Sequence, residues 1–429
     1  MNKFLADNKF ANELAKRIEG HTRTRFFDWI DHMAFSENKF DIQDIILLNY
    51  RENKDLELPP ETRLYHIPES TLFPLLIHSK DTTELTIGPE NIRAFQKIWS
   101  VKSGIKGKEN APYNTLEVSK QNNKVLMVCE RRGYNGFVTK EPDDLEAYLE
   151  ALDFFRIRKR DAEEDLTLLE EQILSMSANL KNGRMADAFF RAEREYWEAR
   201  NFAGRHQKKL QDDVGLGWGN RDHQAFRCSR KNFSRIVRIF ESLGMQPRER
   251  FYAGKQAGWG AQVLEHPTCK EAVFADVDLN PEESGGDFAH EDLTPKKELG
   301  TVGLWVGLHG ESILSAGIHH LAALVNFQIC NTELPEQGVP VMAPFSSLPF
   351  LKQAFTRGDT WRPEKKRLDV LRNAGSIDDK QEEKFLSLGA IGGHLEIIER
   401  NSGFKGFNQD SVSAIIKATD PRVQHEKGA

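Results

Sequence analysis

Cysteine is scarce in this sequence of 429 residues. There are four cysteines, far apart and without a CxxC pair, which excludes a disulfide framework and argues against a zinc knuckle; they are Cys129, Cys228, Cys269 and Cys330. The sequence also lacks a run of about eighteen uncharged apolar residues, and its first residues lack the apolar segment of a secretion signal. We therefore expect a protein of the cytoplasm that does not span a membrane.

An excess of positive charge is missing as well. Lys and Arg together number 59 and Asp and Glu 65, which gives a net charge of −6. Proteins that bind nucleic-acid phosphates carry clustered basic residues, and no such block occurs here. Nucleic acid is therefore not an expected partner.

The length and the changes in apolar spacing and composition along the chain predict an α+β protein with several parts. Residues 1–28 form an N-terminal helical cap, because Phe10, Leu14 and Ile18 recur at helical spacing. Residues 29–142 form a first β-rich module with short apolar runs, such as those at 45–50, 73–77 and 124–129. Residues 214–429 form a second β-rich part that ends in a helix over 410–418, a candidate lid.

Between these parts, residues 143–213 are dense in charge, lack proline and have helical apolar spacing. This predicts a helical insertion or linker of two helices separated near Asn182 and Gly183. Mixed charge of this kind is typical of a solvated helical face. A homodimer formed through this segment is the alternative role.

Two short passages of the first β-rich part recur in the second. Residues 31–35 match residues 222–226, each beginning with Asp-His, and residues 130–137 match 399–407 with one residue inserted. The repeats stand in the same order, which indicates a duplicated module. In the second part the pattern strand, helix and three strands over 221–279 predicts a β-α-β-β-β unit, and a second unit begins near residue 317.

This duplicated architecture of curled mixed sheets resembles the vicinal-oxygen-chelate superfamily, and the second half is similar to 4-hydroxyphenylpyruvate dioxygenase. Three passages carry the resemblance: Asp222-His223, residues 317–322, and residues 395–400 followed by Gly403 and Gly406. The resemblance implies metal ligation by His223, His320 and Glu396, the two imidazoles and one carboxylate of non-haem Fe(II) oxygenases.

The resemblance further implies an Fe(II)-dependent dioxygenase that acts on a 2-oxo acid and O2 with decarboxylation. Zn, Mn or another divalent metal is the alternative cofactor. The His-x-x-x-Arg spacing is similar to that of 2-oxoadipate dioxygenase/decarboxylase, and Arg227 would hold a substrate carboxylate in bidentate fashion. The other residues that we expect to bind substrate are Glu399, Arg400 and Phe407.

Several alternatives stay open at this point. Glu265 or His394 could replace one of the three ligands. In the first module His32 matches His223, but Met127 or Val128 stands where the carboxylate should be, so this copy is expected to be degenerate. A non-redox isomerase or lyase of the glyoxalase type would use the same ligands with a metal that acts as a Lewis acid. A non-catalytic binding protein on the same fold is the third reading.

Overall fold

The computed structural model describes residues 2–35, 42–47, 49–54, 58, 62–67, 74–78, 83–139, 141–255, 257–402, 404, 406, 415, 416 and 418–422. Two mixed β-sheets and thirteen helices lie within these residues. No helix among them combines the length and the apolar character needed to cross a membrane.

The chain begins with two helices, α1 (Asn2–Asp7) and α2 (Lys9–Thr22). Asn8 caps α2, because its side-chain oxygen accepts a hydrogen bond from the backbone N–H of Ala11 at 3.0 Å. The apolar face of α2, with Leu14 and Ile18, is buried against the first sheet. This is the amphipathic helix that the spacing predicts.

The first sheet has seven strands in the order β2-β3-β4-β1-β5-β7-β6. Its elements are β1 (Ile30–Phe35), α3 (Ile42–Leu47), β2 (Arg51–Asn53), β3 (Arg63–His66), β4 (Leu75–His78), β5 (Thr83–Ile87), α4 (Ile92–Ile98), β6 (Tyr113–Gln121) and β7 (Lys124–Arg131).

The order of these strands shows two units where the sequence predicted a single module over 29–142. The set β1 to β4 is one β-α-β-β-β unit, and β5, α4, β6 and β7 form a second with three strands among the described residues. The strand predicted at 45–50 is wrong, because α3 extends through Leu47. A short apolar run does not distinguish a strand from a helix by its periodicity.

Four helices rather than two follow: α5 (Leu145–Ile157), α6 (Glu164–Met176), α7 (Asn182–Glu198) and α8 (Phe202–Asp212). Asn182 and Gly183 begin α7 instead of separating two helices.

The sequence suggested that the charged residues of this segment form a solvated face, but some of them are buried. α7 lies in the largest core, and its Glu193 is fully buried between Arg158 and Arg160, with nitrogen to oxygen distances of 2.8 and 2.6 Å. Arg194 of the same helix pairs with the buried Glu271 at 2.9 Å. Paired charges can be buried where single ones cannot, so this segment packs against the second sheet.

The second sheet has eight strands in the order β13-β14-β17-β12-β8-β11-β10-β9. Its strands are β8 (Arg221–Arg227), β9 (Gln246–Tyr252), β10 (Trp259–Glu265), β11 (Ala272–Asp278), β12 (His320–Leu324), β13 (Ser346–Leu348), β14 (Leu351–Phe355) and β17 (His394–Arg400). The remaining elements are α9 (Phe233–Ser242), α10 (Thr301–His309), α11 (Phe327–Glu336), β15 (Thr360–Trp361), α12 (Lys365–Asn373), α13 (Asp379–Leu388) and β16 (Ala390–Ile391).

This sheet consists of two β-α-β-β-β units that meet at β8 and β12. In each unit the first strand lies beside the fourth, followed by the third and the second. β8 and β12 pair antiparallel, so the first strands of both units stand side by side at the centre of the sheet. The fold is therefore α+β with duplicated β-α-β-β-β modules, as the sequence predicted. Most of the helix predicted over 410–418 lies outside the described residues, although Ile415 and Ile416 are described and buried.

Candidate metal centre

Three side chains from neighbouring central strands point to one position in the second sheet. His223 lies on β8, His320 begins β12, and Glu396 lies on β17. Ala322 on β12 pairs with His223 on one side and with Glu396 on the other, so these two side chains lie at the same level of the sheet. The two imidazole Nε2 atoms are 3.3 Å apart, and Glu396 Oε2 lies 3.3 Å from Nε2 of His223 and 3.2 Å from that of His320.

This spacing fits a shared divalent metal. Ligands with bonds of about 2.0–2.2 Å and bond angles between about 90° and 109° lie roughly 2.8–3.6 Å apart. All three residues are buried, and their donor set of two imidazoles and a carboxylate is the one found in non-haem Fe(II) oxygenases. Burial and the neighbouring His223 hold the pKa of His320 well below its usual value, so its imidazole is neutral, the form that binds metals.

Further side chains hold these three in place. Asp222 Oδ1 lies 3.4 Å from Nδ1 of His223, and Arg400 Nε donates to both Asp222 oxygens at 2.8 and 2.9 Å. Gln353 Nε2 donates to Glu396 Oε1 at 2.8 Å, which leaves Oε2 for the shared position. Such outer partners fix the orientation of metal-binding side chains.

A cavity of about 50 Å³ adjoins the three ligand-type side chains. Its walls are largely aromatic and include Phe251, Trp259, Phe274, Phe345 and Phe355. The buried Ile415 and Ile416 also line it, which places the described part of the predicted lid against the cavity.

The sequence analysis missed two polar residues that line this cavity. Asp276 on β11 is 4% exposed, and burial raises the pKa of its carboxyl to about 7 although Arg227 and His223 oppose the rise. Gln353 supports Glu396 from β14. The sequence did contain a signal for Asp276: side chains two apart in a strand share a face, so Asp276 lies on the same face of β11 as Phe274. A charged residue on such an apolar face is a candidate site residue. His319, which directly precedes β12, also lines the cavity.

Arg227 does not lie where the sequence analysis placed it. It is on the expected face of β8, but it is fully buried and does not line the cavity. Its guanidinium packs over the Trp305 ring at 5.4 Å, and Nη2 donates to Thr419 Oγ1 at 3.3 Å. α10 and the chain near Thr419 therefore cover the group that was expected to hold a substrate carboxylate.

The other residues expected to bind substrate also lie elsewhere. Arg400 is bonded to Asp222, and Glu399, on the opposite face of β17, accepts hydrogen bonds from the backbone N–H of Phe327 and from Lys352. These two side chains stabilise the strand and its neighbours instead of facing the cavity. Phe407 lies outside the described residues.

The alternative ligands are not part of the cluster. Glu265 ends β10, where Arg248 Nη1 donates to it at 2.5 Å. His394 begins β17 on the same face as Glu396, but its Nδ1 lies 2.8 Å from the carbonyl oxygen of Thr356 and its ring stacks on Phe355. Glu396 is the carboxylate that joins the two histidines.

The first sheet repeats the same strand register with different side chains. His32 on β1 stands opposite Thr86, and Thr86 stands opposite Met127 on β7. His32 therefore occupies the position of His223, and Met127 that of Glu396. The alternative of Val128 at the carboxylate position is removed by this register.

By the same register Glu84 occupies the position of His320, and its Oε1 lies 3.5 Å from His32 Nε2. Asp31 and Arg131 repeat the ion pair of Asp222 and Arg400, with Arg131 Nε 3.1 and 3.0 Å from the two oxygens. Asp31, His32 and Cys129 bring ligand-type atoms within 4.8 Å of one another. Asp31 already forms an ion pair with Arg131, and it forms a second one with Lys270.

No family model and no curated protein matches the chain. Solved structures with a similar fold include a Shewanella frigidimarina protein provisionally named a hydrolase, at 17% identity over 52% of this chain and 97% of that one, with a TM-score of 0.35. A variant of 4-hydroxymandelate synthase from Streptomyces coelicolor matches at 12% identity over 92% of this chain and 98% of its own, with a TM-score of 0.31. Methylmalonyl-CoA epimerase from Mycobacterium tuberculosis matches at 14% identity over 43% and 89%, with a TM-score of 0.25. The two named enzymes have the vicinal-oxygen-chelate fold.

Proposed function

We propose that the protein is a metal-dependent oxygenase, an Fe(II)-dependent dioxygenase that acts on a 2-oxo acid with decarboxylation. The observation that supports this proposal is the cluster of His223, His320 and Glu396, whose facing atoms lie 3.2–3.3 Å apart. Bound there, Fe(II) would supply the oxygen chemistry that protein side chains lack.

The chain itself contributes orientation and exclusion of water. Gln353 and Asp222 fix Glu396 and His223 in one orientation. The aromatic walls leave a small, largely apolar space in which side reactions with water are suppressed.

Anaerobic loading with Fe(II), followed by metal analysis, tests the metal site. Glu396→Gln keeps the shape of the side chain and removes its charge, so it should lower metal affinity by more than the roughly 10–100-fold typical of changes to outer partners. A weak visible charge-transfer band on addition of a 2-oxo acid, followed by O2 consumption with release of CO2, is the expected result. Unchanged metal content in Glu396→Gln would contradict the proposal.

A non-redox isomerase or lyase is the second candidate, and Asp276 is the observation that favours it. A buried carboxyl beside a metal position, with a pKa of about 7, suits proton transfer at neutral pH. Conversion of substrate that proceeds equally well without O2 would favour this candidate over the oxygenase.

A further inference from the structure

The cavity beside the metal centre carries unpartnered polar groups at two ends. Near the ligand-type side chains, Gln353 Oε1 and His319 Nε2 are buried and have no hydrogen-bond partner among the described residues. At the other end, on strands beyond β8, the same is true of the indole nitrogen of Trp259 on β10. Asp276 lines this end from β11, and its carboxyl accepts no hydrogen bond within the part of the chain that the structure describes.

The burial of Trp259 and Asp276 indicates that their hydrogen-bonding groups need a partner. Trp259 and Asp276 are each 4% exposed. A buried polar group without a partner costs about 1–3 kcal/mol, and native proteins leave few of them. The indole N–H of Trp259 has no partner among the described residues, and Asp276 beside it accepts no hydrogen bond there although the nearby Arg227 favours its charged form. We infer that a ligand group meets both.

The strand register places the two groups on one wall. β10 and β11 pair antiparallel, with Trp259 opposite Asp278 and Ala261 opposite Asp276, so Trp259 and Asp276 share a face of the sheet and are separated by one step of its alternation. The ring of Phe274, on the same face of β11, lies 4.7 Å from that of His223. The wall therefore continues from the metal centre to the pair.

The hydrogen-bonding capacity of the pair selects the ligand group. The indole N–H can only donate, whereas a carboxyl can accept in either protonation state. A hydroxyl group both accepts and donates, so it can satisfy Trp259 and Asp276 together. An ammonium group cannot accept, a carboxylate cannot donate, and an alkyl group does neither.

We propose that Trp259 and Asp276 form a specificity subsite for a hydroxyl group on the substrate, which is a compact aliphatic 2-oxo acid; this inference rests on the proposed function. The cavity of about 50 Å³ is small, which favours a short carbon chain over a large ring. A second carboxylate on the ligand would require Asp276 to be protonated, because two like charges would otherwise meet in a poorly solvated space.

Binding to the full chain loaded anaerobically with Fe(II) tests this inference without turnover. Calorimetry would compare isosteric pairs that differ in a hydroxyl and a methyl group: 3-hydroxypyruvate with 2-oxobutyrate, and 4-hydroxy-2-oxobutyrate with 2-oxopentanoate. Oxaloacetate and its 4-amide add a carboxylate and a primary amide, the latter because an amide also donates and accepts. We expect the hydroxyl member of at least one pair to bind about tenfold or more tightly than its methyl partner.

Two variants locate the effect. Trp259→Phe removes the N–H and keeps an aromatic ring, and Asp276→Val removes the acceptor. Each should reduce the ratio of affinities between hydroxyl and methyl ligands to below about threefold. Trp99→Phe is the matched control, because its indole donates to Val214 O in another part of the molecule. The two variants are independent, so one folded variant with normal metal content is sufficient.

The outcomes separate this inference from the function on which it rests. Equal binding of both members of every pair to the unmodified protein would overturn the hydroxyl subsite and leave the proposed function standing. Tighter binding of the amide or of oxaloacetate than of the hydroxyl ligands would also overturn it. Failure of every 2-oxo acid to bind the Fe(II)-loaded protein would overturn both.

Discussion

Asp222 and Asp31 provide a matched pair of substitutions, because each follows the same pattern in one of the two sheets. Each is 4% exposed or less at its side chain and accepts hydrogen bonds at both carboxylate oxygens from the Nε atom of a partly buried arginine, Arg400 or Arg131. Replacing either aspartate with asparagine leaves the arginine without its counter-ion. Breaking a buried ion pair in this way costs about 3–5 kcal/mol, so both variants should lose stability in urea denaturation of the metal-free protein, Asp31→Asn at least as much as Asp222→Asn because Lys270 also loses its partner.

Metal affinity should separate the two variants. Only Asp222 supports a residue of the candidate metal centre, since its Oδ1 lies 3.4 Å from Nδ1 of His223. Asp222→Asn should therefore weaken metal binding by about 10–100-fold. Asp31→Asn should leave it unchanged in the fraction that remains folded. Competition with a chelator of known affinity measures both. Equal metal affinity in the two variants would refute the supporting role of Asp222, whatever their stabilities.

Three further predictions follow from the same contacts. In the metal-free protein Glu396 and Asp222 raise the pKa of His223 to about 9, although burial opposes the charge. Metal binding at pH 7 should therefore release about one proton, and metal affinity should rise about tenfold per pH unit up to pH 9 and then level off. A metal affinity that does not depend on pH would contradict this. Arg227→Lys should lower the free energy of unfolding and change the Kd of a 2-oxo acid by less than about twofold, because its guanidinium is covered; a much larger Kd would restore the predicted carboxylate clamp. His32→Ala should leave metal content unchanged. Because Asp31 and Glu84 raise the pKa of His32 to about 10 against the effect of burial, its stabilising contribution is complete below about pH 6.5 and lost as pH rises through 10, so this pH dependence should disappear in the variant.

The sequence was sufficient to predict the core of the second sheet. The strand, helix and three strands predicted over 221–279 correspond to β8, α9, β9, β10 and β11. These elements have a strong period of two or 3.6 and end at residues such as Gly244, which adopts a positive φ of 91°. The three candidate ligands are separated by 97 and 76 residues, so they came from the resemblance and not from local spacing.

The errors have a common physical origin in tertiary packing. The charges of α7 looked solvated because a sequence does not show that Glu193 meets Arg158 and Arg160. Arg227 was assigned to substrate from its His-x-x-x-Arg spacing, which does not show what covers the side chain. Here Thr419, far along the chain, lies against its guanidinium. Long-range contacts of this kind are outside the reach of periodicity.

A comparison of the two sheets explains why we expect metal at the cluster around His223 and not at the one around His32. In the first, His32 stands between Asp31 and Glu84, with Arg131 beside Asp31. A protonated imidazole with these partners already balances its charges. In the second, Arg400 neutralises Asp222, and the cluster itself holds one carboxylate and two imidazoles, of which His320 is neutral. A buried carboxylate in an apolar cavity requires compensation. A proton on His223 supplies one charge, whereas a divalent cation satisfies all three facing atoms at once. At the matching positions of the first sheet Met127 replaces Glu396 and Glu84 replaces His320, so a carboxylate is kept and two facing ligand atoms remain where the second sheet has three. This difference in the number of facing ligand atoms is the physical reason to expect metal in the second sheet rather than in the first.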